Sequence, residues 1–329
     1  MNILYVVGGL PTEEKPFYQP FIKSQIDSVK RAGINTTILD LKGYDSPLNY
    51  LKKGELLTIV EKQKIDLIHS HYSYTLIPVL LSKVKIPTIV SLMGSDLLGS
   101  PDGKGNIRFR GKFDKLLTRF LIRKANAIIV KSNEMKERLK VNKQIYVIPN
   151  GVNFNHFKLL DKNVCRNELI LSNDKFLVLF LGNPELKRKN FALAKASVER
   201  LKEIYDKKDV ELVVPFGTSH DTIVKYFNAC DVLLVTSFIE GSPNVVKEAM
   251  ACNLPIISTD VGDVREVISD TRNCFIVSFN SEEIAQRLKI IYDNRTRTNG
   301  REKIEHLRDD RIAEKLIQIY EKTITSHEY

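Results

Sequence analysis

The stretch EGSPNVVKEAMACNLPIISTDVG, residues 240–262, carries its own start, middle and stop signals. Ser242 followed by Pro243 reads as an N-cap with proline at the first helical position, which predicts a helix running to Cys252. Asn253 then closes it in the left-handed conformation, where asparagine is the next best occupant after glycine. The apolar run LPIIST follows as a buried strand, and Asp260-Val261-Gly262 as a turn. Loop, helix and strand in this order is the repeating unit of a parallel α/β sheet.

The same alternation extends outward in both directions. In the first half, β-branched runs at 3–7, 35–41, 66–71, 88–92, 127–131 and 145–148 predict strands, with helical patterns between them such as 18–32. A Pro-Asn-Gly turn opens the irregular stretch IPNGVNFNHF at 148–157, where the hinge between two domains is placed. Strands resume with KFLVLFLGN from Lys175 and continue at 210–214, 231–236, 255–258 and 274–277. One long amphipathic stretch is expected from Arg301 to about Thr323. At 329 residues the chain exceeds the size of a single core, so two doubly wound domains with a cleft between them are expected.

Composition removes several classes of function. Cys165, Cys230, Cys252 and Cys274 form no CxxC pair, and only His69 and His71 stand close together, so no metal site and no disulfide framework is expected. No apolar run is long enough to span a bilayer, and MNILYVVGGLP lacks a basic leader and a cleavage site, so the protein is expected in the cytoplasm. Neither GxGxxG nor GxxxxGK[ST] occurs, which argues against a dehydrogenase or a P-loop NTPase. Between Lys104 and Lys143, thirteen basic residues face three acidic ones, an excess equal to the +10 of the whole chain. Within that segment GKFDKLLTRFLIRKANA sets Phe113, Leu116, Leu117, Phe120 and Leu121 beside Lys112, Lys115, Arg119 and Arg123. Cations beside an apolar stripe suit an anionic membrane surface, although a core-facing helix with a solvated basic face gives the same pattern. No nucleic-acid module accompanies the charge, so nucleic acid is not expected as a partner.

In doubly wound sheets ligands bind outside the carboxyl ends of the strands. The junctions there are GGLP (8–11), HSHYSY (69–74), MGSDLLGS (93–100), GNPELKRKN (182–190) and SFIEGSPN (237–244). Glu240 and Glu248 flank the last junction with seven residues between them, and the helix start offers free amides and a partial positive charge to a phosphate. On spacing alone, a solvated helix face accounts for the two glutamates equally well.

The whole of EGSPNVVKEAMACNLPIISTDVGDVREVI closely resembles the donor-binding signature of retaining glycosyltransferases with the GT-B fold, glycosyltransferase family 4. The resemblance implies two Rossmann-like domains facing a central cleft: an acceptor-binding domain at 1–152, a nucleotide-sugar-binding domain at 153–305, and a C-terminal helix at 306–329 packing back on the first. It implies that Glu240 contacts the donor sugar, that Gly241, Ser242, Pro243, Asn244 and Val245 meet sugar and phosphate, and that Glu248 binds the ribose. Lys189 takes the position of the family's diphosphate-binding lysine. Asn183 stands where the family has an arginine, and Arg188 is the candidate to supply that charge. Gly8 and Gly9 would bring backbone close to the donor phosphate or the acceptor. His71, Ser95 and Asp96 fall on the acceptor side, with Met93 where family members carry a histidine.

These resemblances predict a metal-independent, retaining transferase without a cofactor, with Glu240, Lys189 and Asp96 as its catalytic residues. Its donor would be a UDP- or GDP-linked sugar and its acceptor a saccharide, lipid-linked and met at the cytoplasmic face of a membrane by segment 104–143. The rivals are a sugar-phosphate synthase or nucleotide-sugar epimerase on the same fold, and a non-catalytic nucleotide-sugar-binding partner.

Overall fold

The computed structural model describes all residues except 16, 17, 44, 100, 103–105, 108, 328 and 329, and the side chains of 109 and 110 are likewise not described. Lys104 and Arg108 of the basic segment therefore lie outside the described residues. The chain divides into two compact units. The first comprises Met1–Ser100, Ile107–Gly151 and Asp309–Tyr329, and the second comprises Pro101–Asn106 and Val152–Arg308.

In the first unit, β1 (Asn2–Val7), β2 (Asn35–Asp40), β3 (Leu67–His71), β4 (Thr88–Ser91), β5 (Ala127–Val130) and β6 (Gln144–Val147) form a sheet ordered β2-β1-β3-β4-β5-β6. Every pairing in it is parallel. Strands β3, β4 and β5 are buried at every position; β5 accordingly reads as the continuous apolar run AIIV, while β3 and β4 bury polar side chains at their carboxyl ends, among them His69, His71 and Ser91. The helix Asp309–Thr325 belongs to this unit and packs on the helix Pro20–Arg31. Its Tyr320 hydroxyl lies 3.0 Å from the Tyr5 hydroxyl and 2.7 Å from His69 Nδ1, and Arg31 meets Asp309 at 2.7 Å.

In the second unit, β7 (Phe176–Leu179), β8 (Val210–Val213), β9 (Val232–Val235), β10 (Ile256–Thr259) and β11 (Cys274–Val277) form a parallel sheet ordered β11-β10-β9-β7-β8. Phe176, Val178, Val232, Leu234 and Ile257 pack at the centre of its core with Leu201 and Leu288 from two helices. The chain leaves β7 toward β8 on one side and returns to β9 on the other. The strand order thus reverses between β7 and β9, and that switch point is where such sheets take their ligands.

Two local expectations change. The helix after Pro243 spans Asn244–Ala251, with Pro243 itself as an extended N-cap that makes no side-chain cap bond. Ser242 is drawn away from capping by Asp263 and Lys247, both of which its hydroxyl meets. The C-terminal stretch is not one helix: Gly300–Lys303 is followed by a 3-10 turn at Glu305–Leu307 and then by Asp309–Thr325. The break coincides with the passage of the chain from the second unit back to the first. Asn253 adopts the left-handed conformation expected of it, at φ 53°.

Candidate functional site

The loop after β7 and the loop after β9 meet at the switch point of the second sheet. Gly182, at φ 156°, lets the first loop fold against the Lys189 side chain, to which an added Cβ would come within 3.3 Å. Asn183 Oδ1 accepts a hydrogen bond from Glu185 N, so this side chain closes its own turn. The 3-10 turn Lys187–Lys189 follows, and the second loop holds it in place: Thr236 Oγ1 donates to the carbonyls of Lys189 and Asn190, and Phe238 N donates to Arg188 O.

The result is a charge cluster on one oxygen. Arg188 Nη1 and Lys189 Nζ each lie 2.7 Å from Glu240 Oε1, and Ser237 Oγ donates to the same atom at 2.8 Å. Burial raises the Glu240 carboxyl, but the charges of Lys189 and Arg188 with the hydrogen bonds from Lys189 and Ser237 outweigh it and hold the group down to about 2. Burial lowers Lys189, Glu240 opposes that, and the neighbouring Arg188 adds to the lowering. The cluster carries two positive charges against one negative, which leaves it poised for an anion.

Beyond Glu240, Gly262 sits at φ 59° with its α-carbon so close to the preceding turn that a Cβ would meet Gly241 O at 2.8 Å. Ser242 Oγ donates to Asp263 Oδ2 at 2.6 Å and accepts from Lys247 Nζ at 2.7 Å. Lys247 is fully buried and Asp263 nearly so. Burial lowers the lysine and raises the aspartate, each opposed by the other's charge. This three-residue brace ties the turn at Ser242 to the helix that follows and to the turn after β10, and it occupies the Ser242 hydroxyl. Gly241, Pro243, Asn244 and Val245 lie along the braced turn and the first turn of the helix.

Glu248 stands apart from that cluster. Its Oε1 lies 3.3 Å from His220 Nε2, and the His220 ring stacks on His156 at 5.1 Å and 18° and meets Phe157 edge-on at 5.0 Å. Burial lowers His220, but the hydrogen bond and charge of Glu248, with the charge of Asp221, leave its affinity for a proton raised. Sequence reasoning missed His220, Lys247 and Asp263. The last two lie inside the quoted motif and its extension. His220 had no local signal, because its partner is 28 residues away across β9.

In the first unit, Gly8 and Gly9 line a cavity of about 410 Å³ with Thr12, Glu14, Asp40 and Asp45, at the carboxyl ends of β1 and β2. Ser95 is exposed. Asp96 is fully buried, and its carboxylate accepts hydrogen bonds from the amides of Ser73, Met93, Gly94 and Leu97 at 3.0–3.3 Å. Burial raises it to about 6 against the pull of those amides. This geometry makes Asp96 an organiser of two loops rather than a group presented to a substrate. His71 is buried too, its ring 4.3 Å from that of His69, and neither ring nitrogen has a hydrogen-bond partner. Burial, then His69 and Lys131, hold it well below the usual imidazole range and therefore neutral. His71 shares a face of β3 with His69, and the Tyr5 ring of the neighbouring strand packs against it with centroids 5.8 Å apart.

Residues 15–156 match the model of Glycosyltransferase Family 4, and residues 172–294 match that of Glycosyl transferases group 1. No functionally curated protein sequence matches the chain. Among solved structures, it is similar to sucrose-phosphate synthase from Thermosynechococcus elongatus, at TM-score 0.78 and 16% identity over 99% of this chain and 100% of that one. It is similar to Anabaena HepE in complex with UDP and glucose, at TM-score 0.72 and 15% identity over 98% and 100%. A third is an α,α-trehalose-phosphate synthase (UDP-forming) from Burkholderia vietnamiensis, at TM-score 0.71 and 11% identity over 100% and 98%. At these identities the neighbours show the fold alone, whereas the two family models take in most of both halves of the chain. With its two parallel-sheet α/β units, the chain belongs to the GT-B glycosyltransferases.

Proposed function

We propose that the protein moves a sugar from a nucleoside diphosphate sugar to a hydroxyl of a lipid-linked saccharide, with retention at the anomeric carbon and without a metal ion. The observation that carries this reading is the Arg188–Lys189–Glu240 cluster at the switch point of the second sheet. A diphosphate entering there takes over the two cations from Glu240 and frees that carboxylate for the hydroxyls of the transferred sugar. Because Arg188 stands beside Lys189, the absence of arginine at Asn183 does not deprive the site of its second positive charge. That pairing is the reason to prefer an active transferase over a non-catalytic relative.

In the reaction, the acceptor oxygen attacks the anomeric carbon from the face that the diphosphate leaves. The bond from carbon to phosphate oxygen breaks, and the departing oxygen takes the acceptor's proton. Lys189, Arg188 and the amides of the braced turn stabilise the charge that develops on the leaving group, in the manner of an oxyanion hole. Glu248, steadied by His220, takes the ribose hydroxyls. In the first unit, Asp96 positions the loops that carry Ser95 and Met93. The neighbour solved with UDP and glucose supports a uridine donor over a guanosine one. The basic segment 104–143 supports an acceptor met at a membrane surface, on its cytoplasmic side.

The test is a thermal-shift screen with UDP, GDP and ADP and their sugars, followed by transfer assays with lipid-linked and with phosphorylated sugar acceptors and by NMR of the product anomer. Stabilisation by no nucleoside diphosphate rejects the donor site. An inverted product rejects retention, and turnover only with sugar phosphates replaces the lipid-linked acceptor.

A further inference from the structure

The helix Phe109–Leu121 has two faces of different character. Its inner face is committed: Gly111, Thr118 and Leu121 are buried, Thr118 Oγ1 bonds Ser73 Oγ, and Asp114, the helix's one acidic residue, accepts from the Tyr74 hydroxyl. Leu121, which the sequence groups with the apolar stripe, therefore belongs to the core, and Leu117 is half-buried.

The outer face keeps three large apolar side chains in water: Phe113 at 58% exposure, Leu116 at 68% and Phe120 at 60%. At 100° per residue they fall within roughly 60° of arc, a continuous ridge. Lys112 and Arg119 are exposed along one flank of it, and Arg123 and Lys124 are exposed just past its C-terminal end. With Asp114 turned inward, no carboxylate of this helix offsets those charges.

We infer that this ridge is a docking surface for an anionic lipid bilayer, with Phe113, Leu116 and Phe120 entering the headgroup–acyl boundary and Lys112, Arg119, Arg123 and Lys124 meeting lipid phosphates. Charge decides in favour of this occupant. A protein partner would have to match an apolar ridge framed by cations alone, whereas an anionic membrane presents negative headgroups above hydrocarbon at the depth such side chains reach. The inference rests on the reading that the protein works at a membrane, and it names the surface that does so. It also separates two contributions: the cations bring the protein to the surface in a salt-sensitive way, and the ridge adds a part that salt does not screen.

The test is sedimentation of the full chain with vesicles of 70% phosphatidylcholine and 30% phosphatidylglycerol, against vesicles of phosphatidylcholine alone. The wild-type protein should prefer the anionic vesicles and retain part of its binding in 0.5 M NaCl. Phe113→Ser/Leu116→Ser/Phe120→Ser should bind at least tenfold more weakly and lose all binding at high salt. Lys112→Gln/Arg119→Gln should lose on the order of 20-fold at low salt, about fivefold per cation, and retain a salt-resistant remnant. All positions are exposed, so unchanged melting temperatures and unchanged UDP stabilisation serve as the folding control.

Equal binding by the triple serine variant and the wild type overturns the proposal. So does a wild type without preference for anionic vesicles. A wild-type dimer that the triple serine variant turns into a monomer would assign the ridge to a second copy instead. None of these measurements needs transfer to occur, so Lys189→Ala protein that still binds vesicles separates this inference from the fate of the transferase reading.

Discussion

Lys189 Nζ lies 2.7 Å from Glu240 Oε1, and Arg188 reaches the same oxygen at the same distance. Removing one side of this cluster is not equivalent to removing the other. Lys189→Ala should weaken nucleoside diphosphate binding and lower kcat/KM by 100-fold or more, the scale seen when one stabilising donor is lost. Glu240→Ala leaves two cations without their counter-charge, so UDP should bind as tightly as to wild type or more tightly while transfer collapses. Calorimetry beside steady-state kinetics checks the pair, and parallel losses of binding in both variants would refute the division of roles. Glu240 is depressed from 4.5 to about 2, so its contribution to stability is present above pH 4.5 and disappears as pH falls through 2.

His220 makes a separate prediction through Glu248. His220→Ala should raise the donor KM about tenfold with kcat within threefold of wild type, and His220→Gln, which keeps a donor at the ring's place, should recover most of that loss. The same change should erase most of the preference for UDP over its 2′,3′-dideoxy analogue. His220's proton affinity is raised above its unfolded value of 6.5, so its stabilising contribution is complete below that pH and is lost as pH rises through the folded value. Melting temperature should therefore drop more for wild type than for His220→Gln between pH 6.5 and 8.

The Ser242 brace predicts non-additivity. Lys247→Met or Asp263→Leu alone strands a buried charge and should cost about 3–5 kcal/mol in urea unfolding. The double variant should recover more than half of the summed loss. Simple addition of the two single effects would show that the residues do not act through one hydroxyl.

Asp96 should behave as a positioning residue. Its proton affinity is raised from 3.8 to about 6 by burial, so the contribution of this one group to stability is complete below pH 3.8 and is lost as pH rises through 6. Asp96→Asn should remove that slope from the pH dependence of unfolding while reducing transfer through disorder of the loop at 93–98. An unchanged slope would place the titration elsewhere.

Much of the framework was legible from local pattern. Apolar and β-branched runs placed ten of the eleven strands to within one residue at either end, whereas the strand expected from Lys175 to Asn183 stops at Leu179, where the chain turns into the loop that carries Gly182. The stop at Asn253 followed from the few residues that tolerate positive φ. The quoted stretch likewise located the loop and helix that carry Glu240 and Glu248.

Which atoms those residues touch is another matter. The Ser242 hydroxyl fits an N-cap by local rules, yet it serves Asp263 and Lys247 because the turn at Gly262 brings Asp263 to it. His71 sits at a strand end, where ligands bind, but it is buried against Tyr5 and His69. In the helix Phe109–Leu121, periodicity found an apolar stripe without saying that Leu121 lies inside and Phe113, Leu116 and Phe120 outside.

The sequence by itself determined the elements, their order and the chemistry collected at 240–262, since each depends on residues within a turn or two of one another. Only the tertiary structure decided the partners: Glu240 with Arg188 and Lys189 about fifty residues earlier, Glu248 with His220, and Tyr320 with Tyr5 at the far end of the chain. Parallel sheets order strands by packing rather than by sequence, so neighbours at a strand's carboxyl end are set by topology that no local periodicity encodes.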